Sequence, residues 1–167
     1  MENKTTDPSQ DQNKLPDDLI VNPDGTAVFT IQEEGEVQGS YRGTFILKCY
    51  LNPMETLSAG RLFRDYLGPN GELASENDRF LAFALAQLQK RVIKGPPWWQ
   101  VEGTQGNIPD TNILSITLDR AITAEAAFKA RLKQKKDAAL QQAQEALLAI
   151  QKKQAEDRKP ISDKKEE

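Results

Sequence analysis

The chain has 167 residues, 38% hydrophobic and 28% charged, with one cysteine and no histidine. That suits one domain of roughly 100–150 residues with polar appendages, and it excludes an internal disulfide. The missing histidine removes the commonest general base and the commonest zinc ligand, and the net charge of −3 is unevenly divided.

Residues 1–128 hold 11 basic and 18 acidic side chains, giving −7, whereas 129–167 hold 11 and 7, giving +4. The basic residues of the second stretch are interspersed with acids, and no aromatic follows Phe128 on which a base could stack. Nucleic acid is therefore a disfavoured partner. The longest apolar run, Phe80–Leu88, is interrupted by Gln87 and falls far short of the roughly 20 residues a membrane span needs. No apolar h-region occurs in MENKTTDPSQDQNK, so an intracellular protein is expected.

In chain order, residues 1–16 read as a disordered polar arm, since they are polar and lack periodicity. Leu19–Val21 and Thr26–Ile31, separated by Asn22-Pro23-Asp24-Gly25, predict a hairpin: proline presets its φ and glycine supplies a positive one. Turn residues from Glu33 to Ser40 lead into Tyr41–Tyr50. There Tyr41, Gly43, Phe45, Leu47 and Cys49 alternate with Arg42, Thr44 and Lys48, a half-buried strand in which Cys49 is a small core hydrophobe. About three strands within 17–51 thus form a small antiparallel sheet that needs helices to cover it.

Helices are expected over 53–128. Asn52-Pro53-Met54-Glu55 is a helix start, and the helix stops at Gly68-Pro69 with Ala59, Leu62, Phe63, Tyr66 and Leu67 on one stripe. A second helix opens at Ser75 with Asp78 three residues on, and carries Phe80, Leu81, Ala84, Leu85, Leu88 and Val92 as a core face ending at Gly95-Pro96-Pro97. Trp98-Trp99 follow, then a loop over 102–106. Either both indoles pack on the sheet or a helix end, or one is a partner-binding anchor, exposed Trp being a typical hot spot.

From Pro109-Asp110 to about Asp157 the sequence reads as helix, with Ile113, Leu114, Leu118 and Ile122 completing the core. Residues 129–158 form its charged extension, in which Leu140, Ala143, Leu147 and Ile150 keep a 3-4-3 spacing. A seam of little more than one heptad is short for a free coiled coil and suits docking on a partner. Lys159-Pro160 ends it, leaving 159–167 as a disordered tail. The fold class is α+β.

Chemistry finds little equipment. No Ser-x-x-Lys motif, dinucleotide fingerprint or phosphate loop occurs, and the carboxylates Asp17, Asp18, Glu33, Glu34 and Glu36 lack calcium-loop spacing. No catalytic, cofactor-binding or metal-binding residue is assigned; a non-enzymatic binding protein is expected.

Ser40–Phe45, Leu67-Gly68-Pro69, Leu88–Val92 followed by Gly95-Pro96-Pro97-Trp98-Trp99, and Pro109–Leu114 together resemble morphogenesis proteins of tailed bacteriophages, most nearly the tail assembly chaperones. The resemblance covers about Ser40 to Ala127 and is a pattern of spaced residues without a catalytic signature. It implies a non-enzymatic protein of the host cytoplasm that binds the tape measure protein and promotes tail tube assembly. The alternative is a structural virion protein of the neck, tail or baseplate. The candidate partner-binding residues are Trp98, Trp99, Phe128, Leu132, Leu140, Leu147 and Ile150, with self-association an open possibility.

Overall fold

The first hairpin forms where the turn chemistry demands it. In a computed structural model, which describes residues 15–37, 39–99, 108 and 110–157, strand β1 (Leu19–Val21) pairs antiparallel with β2 (Thr26–Glu34) across Asn22–Gly25. Gly25 takes φ 86°, and the Asp24 carboxylate accepts from the Thr26 hydroxyl at 2.7 Å and its backbone N–H at 2.9 Å. Those two bonds hold the Asp24 carboxyl below its ordinary pKa. The readings of 1–14, of the 102–106 loop and of 159–167 lie outside the described residues.

β3 (Ser40–Lys48) pairs with β2 along its full length. Glu33 and Glu34, expected in the turn, are instead ladder residues opposite Tyr41 and Ser40. A fourth strand, β4 (Val92–Lys94), corrects the expectation of about three and completes an antiparallel sheet in the order β1-β2-β3-β4. These residues were expected to continue the second helix. Val92 and Ile93 are β-branched, so leaving the helix costs little propensity and gives the edge of β3 a ladder partner.

Between β3 and β4 lie α1 (Pro53–Leu67) and α2 (Glu76–Arg91), joined by a 3-10 turn at Gly71–Leu73. Both start in capping boxes, Asn52 with Glu55 and Ser75 with Asp78, which satisfy orphan N–H groups within four residues of sequence. The Glu55 carboxylate also pairs with Lys48, and these contacts hold it below its ordinary pKa. α1 packs on α2, with Phe63 edge-on to Phe83 at 6.5 Å, and only Ala59 of its expected stripe is fully buried. Phe80, expected in the core, is exposed.

Helix α3 (Thr111–Asp157) follows. Its first turns bury Ile113, Leu114, Thr117, Leu118, Ala121, Ala124 and Phe128, a spacing of three and four that makes one stripe. Ile122, assigned to that stripe, is one residue off it and exposed. Thr117 is fully buried because its hydroxyl donates to the Ile113 carbonyl at 2.7 Å. This stripe, Leu88 and Ala84 of α2, and the inward side chains of the sheet form one core cluster, in which Phe29 stacks on Phe45 at 5.0 Å. The described residues up to Phe128 make one compact unit and those from Lys129 a second.

Candidate interaction surface

The paired tryptophans both belong to the body. Trp99 is 2% exposed, edge-on to Phe45 at 5.1 Å. Trp98 is half-buried, edge-on to Tyr41 and Phe45, and its indole N–H donates to the Arg42 carbonyl at 2.9 Å. Both adjacent indoles engage β3, meeting Phe45, and Pro96 fills the place of a side chain at Gly43. A Cβ built on Gly43 would lie 2.3 Å from the Pro96 Cβ, and Gly43 holds φ 154°. Trp99, proposed from sequence as a partner anchor, is thus a core residue. Phe128 is one too, 7% exposed and stacked on Tyr50 at 5.6 Å.

Two buried polar clusters fix this body. The Asp110 carboxylate, just before α3, accepts from the Tyr41 hydroxyl at 2.8 Å and the Val37 backbone N–H at 2.7 Å. Burial, with the carboxylate bond second, pushes the Tyr41 hydroxyl up to about 12. The folded protein therefore holds this proton more tightly than the unfolded chain, whose tyrosines ionise near pH 10. Stability is complete below that pH and falls as pH rises toward 12; Tyr41→Phe is expected to remove that contribution to the alkaline slope, measured as urea midpoints at about pH 9 and about pH 11. The second cluster is Arg91, whose guanidinium bonds the Cys49 carbonyl at 2.9 Å, Glu125 at 2.5 Å and Gln87 at 3.2 Å. Asp18 is a part-buried carboxylate paired with Arg120 at 3.0 Å.

Past Phe128 the burial pattern of α3 stops. Of residues 129–154 all are exposed except Arg131, which is intermediate. Leu132, Leu140, Leu147, Leu148 and Ile150 are each 50–60% exposed. Leu140, Ala143, Leu147 and Ile150 fall on one face by their spacing, with Leu132 two turns earlier; Leu148 lies off that face. Lys129, Arg131, Lys133, Lys135 and Lys136 precede the seam against a single acid, Asp137.

One exposed leucine that the sequence did not single out lies at the α1–α2 junction: Leu73 is 87% exposed. A leucine inside Asn70-Gly71-Glu72-Leu73-Ala74, between two capped helices, was the available signal. Among the described residues no group of three His, Cys, Asp or Glu side chains is arranged to hold a metal ion, and no helix is long and apolar enough to cross a membrane. Comparison with protein-family models, curated proteins and solved structures finds no match.

Proposed function

We propose that this chain is a non-enzymatic tail assembly chaperone of a tailed bacteriophage. In this reading it works in the host cytoplasm, binds the tape measure protein through its C-terminal helix and promotes assembly of the tail tube around it. The observation that carries the binding role is the exposed seam of Leu140, Leu147 and Ile150 on a continuous helix, preceded by Leu132. The spaced residues from Ser40 to Ala127 supply the phage reading by resemblance.

Helix-in-groove docking reads anchors at this spacing. Each well-buried Leu or Ile contributes roughly 1.5–3 kcal/mol, from which ordering and association costs are subtracted. A few such anchors give a reversible contact, as a chaperone that must later leave requires. Lys133, Lys135 and Lys136 beside the seam favour a partner with acidic flanks.

The test is binding of the full chain to purified tape measure protein by calorimetry. Leu140→Asp with Leu147→Asp is expected to weaken binding by about a hundredfold or more while helix content stays unchanged. Undiminished binding by the double variant refutes the role of the seam. Finding the protein at stoichiometric level in purified virions by mass spectrometry replaces the chaperone reading with that of a structural virion component.

A further inference from the structure

We propose that the outer edge of β2, from Thr30 to Glu34, is a docking site for an extended, basic segment of a partner protein, which adds to the sheet as a further strand. β1 covers only part of that edge: it pairs with Ala27–Phe29 and stops, whereas β2 runs on along β3 to Glu34. Three hydrogen bonds fix which way the backbone points. The Asn22 N–H donates to the Thr26 carbonyl at 2.8 Å on the β1 side, and the Cys49 N–H donates to the Gly25 carbonyl at 2.8 Å on the β3 side. The Arg42 carbonyl, opposite Gln32, accepts from the Trp98 indole and so faces away from β2. Backbone groups alternate in direction along a strand, and the β2–β3 register runs unbroken from Thr26 to Glu34. The N–H and C=O groups of Thr30, Gln32 and Glu34 therefore point out of the sheet. Among the described residues they have no strand or turn partner, and all three residues are exposed.

A row of outward N–H and C=O groups at alternate residues is matched by one kind of ligand, another backbone in extended conformation. The side chains beside the row select which segment fits. Glu33 and Glu34 lie at its far end on opposite faces of the sheet, and Glu36 follows in the turn. All three are exposed, and none makes an ion pair among the described residues. Arg42 lies one strand in from the edge and donates to the Ser40 hydroxyl at 3.1 Å, and Arg120 is paired with Asp18 and Asp119. A second copy of this edge would bring like carboxylates together, whereas a basic segment meets them with the opposite sign. Ile31, between them on the inner face, is buried. The segment thus carries an apolar residue beside Ile31 and lysine or arginine beside Glu33 and Glu34.

The probe is the synthetic peptide acetyl-Lys-Lys-Thr-Val-Thr-amide, antiparallel to β2 with its lysines opposite Glu34 and Glu33. Titrated at millimolar concentrations into the nitrogen-labelled full chain, it is expected to shift the amide resonances of Thr30, Gln32 and Glu34. The same peptide with glutamates in place of lysines is expected to bind about tenfold or more weakly. Glu33→Lys with Glu34→Lys is expected to reverse that preference with an unchanged circular dichroism spectrum, since both side chains are exposed. Gln32→Pro removes an outward N–H but no bond of the β2–β3 ladder, and is expected to abolish binding of the lysine peptide. Absence of shifts at the three amides overturns the proposal, as does equal binding of the two peptides. Shifts at these amides that grow with protein concentration, without peptide, place a second copy on the edge and overturn the choice of a basic segment.

Discussion

Replacing Arg91 with alanine is expected to lower folding stability by about 3–4 kcal/mol, because it removes one partner of a buried ion pair while leaving the other in place. Arg91 is 7% exposed, and the Glu125 carboxylate that it meets is only about a quarter exposed. The same guanidinium donates to the Cys49 carbonyl just past β3. The alanine variant would take one donor from a buried carbonyl and one from a largely buried carboxylate, and would leave a cavity where the side chain packed. Because Arg91 joins the end of α2 to β3 and α3, the loss is felt by three elements at once. Urea titration measures it, and a double-mutant cycle with Glu125→Leu separates the pair from the packing. Arg91→Met with Glu125→Leu is expected to recover most of the stability, since an apolar pair of similar volume needs no compensating charge. A single Arg91→Ala variant within about 1 kcal/mol of wild type would mean that the pair contributes nothing beyond a surface contact.

The second large effect is at Trp99. Its removal by Trp99→Ala is expected to cost about 3–5 kcal/mol, the range for emptying a large aromatic site in a core that cannot fully collapse. Collapse is hindered because the neighbouring backbone is already in contact: a Cβ built on Gly95 would lie 2.5 Å from the Trp99 ring. Trp98→Phe is expected to cost only about 1 kcal/mol, the worth of its hydrogen bond to the Arg42 carbonyl. Thermal or urea unfolding of the two variants separates them. Equal losses would show that the two indoles share one environment, contrary to the burial of one and the partial exposure of the other.

These expectations also show where sequence reasoning reached and where it did not. Both helix starts were legible because a capping box closes between residues three apart: Asn52 with Glu55, and Ser75 with Asp78. The first hairpin was legible for the same reason, its Asp24–Thr26 bonds lying two residues apart. The inward face of β3 followed from strict alternation, and Tyr41, Phe45, Leu47 and Cys49 are buried.

The sequence placed α1 at its observed bounds, but amphipathic pattern alone did not decide how deeply its stripe is buried, because a stripe records that a helix has something to pack on without recording what. α1 has α2, so its stripe is only partly covered. Trp99 and Phe128 could equally have been anchors or core from their type alone, and only the elements packed around them decide for the core.

By itself the sequence determined the α+β class, the long C-terminal helix, the local turns and caps, and the seam that repeats along residues 140–150, since each rests on contacts or periodicities within a few residues. Tertiary structure alone decided the fourth strand, the burial of Trp99 and the two polar clusters. Asp110 meets Tyr41 and Val37 across 69 and 73 residues, and Arg91 meets Glu125 across 34. Such partners leave no periodicity in the chain: the free energy that selects them comes from desolvating groups that become neighbours only after the sheet and helices have closed on one another.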